Sequence, residues 1–122
     1  MGLKDKKTIG FRYAWTGIRS AAKYERNFKV HIFSAIFVVL AGFLLGMNKV
    51  EWMILILTIN AVFVSELFNS AIEALIDYLK PELHPKAKYI KDVAAGAVLL
   101  CAISAVIIGC LLFFPKILAL LK

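Results

Sequence analysis

Charge is scarce in this chain. Only 19% of its 122 residues are Asp, Glu, Lys or Arg, against 61% hydrophobic, and none of the four falls between Val93 and Phe114. The mean hydropathy of +0.81 excludes an ordinary soluble domain. Cysteine is nearly absent too. Cys101 and Cys110 lie on opposite faces of one expected helix, so they cannot pair within it. They also lack metal-ligand spacing and read as apolar lining. The first 29 residues hold basic side chains but no apolar core of signal-peptide length, so no cleavage is expected there. No internal repeat and no low-complexity segment is present. No GxxxxGK[ST] loop and no protein-kinase motif set occurs, so any nucleotide site must be of another kind.

Three apolar stretches remain: residues 30–47, residues 52–80, which include a polar stripe and a short extension, and residues 92–114. A helix needs roughly 20 apolar residues to cross about 30 Å of hydrocarbon, so the chain is expected to be one all-α integral membrane domain with three spans. The 15 Lys and Arg are unevenly shared. Eight precede the first span, four (Lys80, Lys86, Lys88, Lys91) lie between the second and third, and only Lys49 lies between the first and second. The positive-inside rule then places the N-terminus and the second loop on the cytoplasmic side of the cell membrane. The basic N-terminus is expected to serve topology and anionic lipid rather than nucleic acid, for which no recognition motif appears.

Residues 8–28 read as a surface helix. Phe11, Trp15, Ile18 and Ala22 share one face, and Arg12, Arg19, Lys23 and Arg26 share another. That pattern suits a helix lying in the membrane interface. Glu25 breaks it by returning to the apolar side, either as a helix-end residue or to meet a partner on the second span. The segment at Gly46, Met47, Asn48 and Lys49 reads as a short external turn, and Lys80-Pro81 is expected to end the second span.

The second span carries the chemistry. Glu66, Asn69, Glu73 and Asp77 recur at i, i+3, i+7 and i+11, an arc of about 80° at the helical repeat. A carboxylate at the bilayer centre costs at least ~2.5 kcal/mol, so a stripe of them needs a reason. Glu73, Asp77 and Glu25 suit a hard cation with oxygen ligands, magnesium first among them. Lys91 and its basic neighbours suit the phosphates such a cation accompanies. Glu66, deeper than the rest, suits a base acting on a buried hydroxyl, and a hydroxyl at that depth belongs to a lipid.

These residues bear a resemblance. The run Glu66-Leu67-Phe68-Asn69-Ser70-Ala71-Ile72-Glu73-Ala74-Leu75-Ile76-Asp77 resembles the signature of the bacterial integral-membrane diacylglycerol kinases. Residues 87–99, the segment Tyr13-Ala14-Trp15-Thr16-Gly17-Ile18-Arg19 and the run Glu25-Arg26-Asn27-Phe28 fit the same family. The resemblance implies a homotrimer of three-span subunits with an N-terminal surface helix. It implies Glu66 as catalytic base, with Asn69 and Asp77 supporting it, and Glu25 and Glu73 as the residues that hold magnesium at the triphosphate. Tyr13, Glu25, Glu73, Glu82, Leu83, His84, Lys91 and Asp92 would contact ATP. Lipid contacts would come from residues 10–15, 19–22 and 27–31, including Trp15, Arg19 and His31, together with Glu66. His31 stands where the diacylglycerol-using branch has an acidic residue, and this form is similar to the Gram-positive branch that phosphorylates undecaprenol.

The expected activity is therefore transfer of the γ-phosphoryl of MgATP to a membrane lipid alcohol, undecaprenol first and diacylglycerol second. A small proton-coupled exporter would also carry an intramembrane Glu, but it needs no second acidic turn and no Lys-Asp pair at the interface. A structural membrane subunit would leave the carboxylate stripe unexplained. Three thin helices cannot enclose a phosphoryl-transfer site alone, so subunits are expected to share one.

Overall fold

The computed structural model describes residues 9–80, 82 and 84–122. The described residues form four helices: α1 Ile9–Tyr24, α2 Arg26–Leu45, α3 Lys49–Leu79 and α4 Pro85–Leu120. Three of them, α2, α3 and α4, are long and apolar enough to cross a membrane. The 31 residues of α3 and 36 of α4 give rods of about 46 and 54 Å, longer than the hydrocarbon they cross. Their ends therefore project beyond it.

The helix boundaries differ from the sequence reading at several helix ends. The surface helix stops at Tyr24 instead of continuing to residue 28, because Glu25 takes an extended backbone (φ −95°, ψ 114°). Residues from Arg26 onward then turn into the first spanning helix, which begins four residues before the expected start at residue 30. Helix α3 starts at Lys49 because Asn48 and Glu51 form a capping box: Asn48 Oδ1 accepts from the Glu51 N–H at 2.8 Å, and Glu51 Oε1 accepts from the Asn48 N–H at 3.0 Å. Helix α4 starts at Pro85 rather than residue 92, where His84 Nδ1 accepts from the Lys86 N–H at 3.1 Å and proline fills the first turn. It then runs through Pro115 to Leu120.

Helices α3 and α4 pack most extensively, with α2 laid against α3 and α1 folded back over both α2 and α3. Leu55 and Val62 of α3, Ala94 and Leu112 of α4, and Phe28 of α2 are buried. Phe28 meets Phe63 with ring centroids 5.2 Å apart. At the α2–α3 turn, Gly42 is required by close approach. A Cβ there would lie 2.6 Å from Met47 Sδ and 2.9 Å from the Trp52 ring. Gly46, in the expected external turn, closes α2 with φ +77°, a conformation that suits glycine. Its N–H bonds the Gly42 carbonyl at 3.0 Å. Only 6–17% of each span's apolar window is buried within the chain. Such surface belongs in lipid or against other membrane helices. This is a multi-pass membrane protein.

Candidate active site

Two polar side chains are buried among the described residues, and they are neighbours on the stripe: Glu66 at 2% exposure and Asn69 at 5%. Both lie on α3 at the level where α1 and the start of α2 pack against it. Asn69 Nδ2 donates to Glu73 Oε1 at 2.8 Å, one helical turn along. The basic atom nearest to the Glu66 carboxylate is His31 Nε2 on α2, 3.9 Å from Oε2. That is beyond hydrogen-bond distance, so Glu66 carries no directly bonded cation.

The break at Glu25 positions a second carboxylate. Glu25 sits at the N-cap of α2, yet its side chain makes no capping bond. It faces an open cleft of about 440 Å³ between α1 and α3, shared with Tyr13, Gly17, Tyr24, Leu67 and Ser70. Glu25, Glu73 and His31 all lie in the neighbourhood of Glu66. Glu25 and Glu73 are both solvent-exposed, and as hard oxygen donors they suit magnesium. Among the described residues no three potential ligands gather into a ready-made metal site. Two carboxylates leave most of the coordination to phosphate and water, which is how magnesium accompanies a nucleotide.

Farther along α3 the stripe meets α4. Lys91 Nζ donates to Asp77 Oδ1 at 2.6 Å, bridging the two helices. Asp92 is taken by Lys88 one turn away on α4. Lys80 pairs with Glu82 at 3.5 Å, both exposed. His84 caps α4 with its Nδ1, as above. Leu83 lies outside the described residues, as do Thr8, the expected start of the surface helix, and Pro81. Tyr13 reaches the cleft, whereas Trp15 and Arg19 do not line it. They are exposed, as are Phe11 at 94% and Ile18 at 40%. That is the apolar-and-basic surface an interfacial helix presents to a bilayer.

A separate apolar groove of about 590 Å³ runs between α2, α3 and α4, with Val30 and His31 at one end and Phe114 and Ile117 at the other. The sequence reading found neither this groove nor the ion pair at its far end, where Lys116 Nζ donates to Glu51 Oε1 at 3.0 Å. The signal for that pair was faint: a lone lysine after Pro115 and a lone glutamate before Trp52, 65 residues apart.

Comparison with known proteins identifies the family. The family model described as prokaryotic diacylglycerol kinase matches residues 12–113. The undecaprenol kinase of Bacillus subtilis (strain 168) is 45% identical over 88% of this chain and 87% of its own. A diacylglycerol kinase of Synechocystis is 42% identical over 93% of this chain and 65% of its own length. The diacylglycerol kinase of Escherichia coli (strain K12) is 32% identical over 84% of each. These relatives are kinases of membrane lipids that use ATP as co-substrate, and the exporter reading falls away. This chain belongs to the prokaryotic diacylglycerol kinase family.

Proposed function

We propose that this chain transfers the γ-phosphoryl group of ATP to undecaprenol, giving undecaprenyl phosphate, with Glu66 as the general base. One observation carries the residue assignment: Glu66 is a carboxylate at 2% exposure on a membrane helix, with no cation within bonding distance. An acidic group kept unpaired in that setting is costly and has a use for its free lone pairs. The 45% identity to an undecaprenol kinase supports the substrate.

Glu66 removes the proton from the lipid hydroxyl as its oxygen attacks the γ-phosphorus and the bond to ADP breaks. Asn69, fixed by its bond to Glu73, holds the two acidic residues in register along the stripe. Glu25 and Glu73 would hold magnesium, which when bound neutralises charge on the triphosphate. Tyr13, in the α1–α3 cleft, and the stretch Glu82–Asp92 flank the nucleotide. The Asp77–Lys91 bridge holds α4 against that end of α3, and Lys91 supplies positive charge to the phosphates. Phosphoryl transfer is largely positioning and charge stabilisation, which such a set provides. Trp15 and Arg19 anchor α1 in the headgroups while the lipid approaches from the same leaflet.

We further propose that the site faces the cytoplasm, following the charge distribution, and that three copies assemble around shared sites. The broad apolar surface left open on every span supports assembly. A cysteine introduced at Asn48 in a variant lacking Cys101 and Cys110 should react with an impermeant thiol reagent in intact cells, and one at Glu82 only after lysis. The reverse pattern would remove the site from ATP.

Diacylglycerol is the second reading, favoured by the 42% identity to a diacylglycerol kinase. Purified protein given γ-labelled ATP, magnesium and either lipid alcohol decides between them. Label should enter undecaprenol with the higher kcat/KM. Preference for diacylglycerol would reassign the substrate, and transfer to neither would end the kinase assignment for this chain.

A further inference from the structure

Phosphorylation of an alcohol by ATP releases one proton per turnover, and the geometry here leaves that proton on a carboxylate almost without solvent contact. Glu66 is 2% exposed. Its neighbours on the stripe are not free to carry the proton away. Asn69 donates to Glu73 through Nδ2, and an amide neither accepts nor passes on a proton near neutral pH. Glu25 and Glu73 are acidic and are assigned to the nucleotide. On the remaining side stands His31, with Nε2 3.9 Å from Glu66 Oε2 and its side chain 22% exposed. Among the described residues it is the only basic side chain lining the groove between α2, α3 and α4. Among the groove's lining residues, α4 offers it no charged group and α3 offers only hydrocarbon and the Thr58 hydroxyl.

We propose that His31 is the proton exit for Glu66, acting through that carboxylate rather than on the substrate. This rests on the assignment of Glu66 as base. After the lipid O–H proton has passed to Glu66 and the new P–O bond has formed, Glu66 gives the same proton to a ring nitrogen of neutral His31. The carboxylate is regenerated and the imidazolium releases the proton to water at its exposed edge. No other reactant is needed, and one proton leaves for each ADP formed. A shift of about 1 Å by either side chain brings Nε2 and Oε2 to hydrogen-bonding distance. A neutral imidazole is the side chain best able to accept and release a proton near neutral pH.

The test uses the full-length protein in detergent with its lipid alcohol. His31→Ala should lose about 100-fold in kcat, within the range for a lost acid–base group, while KM for ATP stays unchanged. Added imidazole should restore turnover saturably, and more basic imidazoles should restore it further. A folded variant that imidazole does not rescue overturns the relay. Should His31→Ala fail to fold, His31→Gln takes its place. It should be slow and show a larger solvent deuterium isotope effect on kcat than the wild type, and a wild-type kcat or an unchanged isotope effect overturns the proposal. Wild-type protein assayed alongside separates the two failures. If it transfers no phosphate the kinase assignment falls, whereas an active wild type beside an unrescued variant removes only His31.

Discussion

Helix α3 holds one glutamate at its Lys49 end and another just past its middle, and their surroundings treat them in opposite ways. At the Lys49 end, Glu51 is surrounded by donors: the Asn48 N–H and Lys116 Nζ both lie 3.0 Å from Oε1. Its neighbours are tightly packed as well, with the Phe43 and Trp52 rings 4.8 Å apart and Gly42 admitting no Cβ. Just past the middle of the helix, Glu66 is more deeply buried, yet the nearest basic atom among the described residues is 3.9 Å away. Glu25 beside it leaves its cap unfilled. A carboxylate held by a cap N–H and a lysine closes a turn and ties two helices. A buried carboxylate left open is available for chemistry.

That contrast yields a graded set of expectations. The largest concerns Glu66→Gln, whose amide cannot take a proton. Turnover should fall by about 100-fold to 10,000-fold or more, with ATP binding retained, as read by labelled transfer and equilibrium nucleotide binding. Next come Glu25→Gln and Glu73→Gln, each of which should weaken magnesium-dependent activity at least about 10-fold, with recovery as magnesium is raised. Titrating the metal at fixed ATP checks this, and a loss that no magnesium concentration restores would take these residues out of the metal role. Asp77→Asn should have a smaller effect, a several-fold rise in KM for ATP, because the bridge to Lys91 positions a charge rather than a reacting atom. The smallest effects on catalysis belong to the other end. Gly42→Ala should cost about 1 kcal/mol of stability through overpacking against Trp52, and Glu51→Gln should lower the thermal midpoint by a few degrees. Both should leave kcat within about twofold of the wild type.

Much of the fold is legible in the apolar runs, because hydrocarbon thickness dictates their length. Their ends are less so. Hydropathy marks where a helix enters lipid, not where its hydrogen bonds begin. That is why α4 starts at Pro85 and α3 at Lys49, outside the apolar segments. The capping signals were present in His84-Pro85 and in Asn48 with Glu51, and they outrank hydropathy for setting an end. The break at Glu25 had no proline or glycine to mark it, and showed only as a carboxylate out of place on the apolar face, one reading of which was a helix end. It arises where the chain leaves the plane of α1 for the axis of α2, a tertiary demand. For the site, helical period alone put Glu66, Asn69, Glu73 and Asp77 on one face, and the structure adds the bond that joins Asn69 to Glu73. The approach of His31 to Glu66 and the grip of Lys116 on Glu51 join residues far apart in the chain on different helices. No local pattern encodes such distances.

The account stands or falls on the difference between an open and a satisfied carboxylate. Its most direct test measures lipid-dependent γ-phosphoryl transfer by Glu66→Gln and Glu51→Gln in parallel, with nucleotide binding confirmed for both. The account predicts that the first binds ATP and transfers almost nothing, while the second transfers at the wild-type rate from a less stable protein. Substantial turnover by Glu66→Gln, or equal losses from both changes, would contradict it.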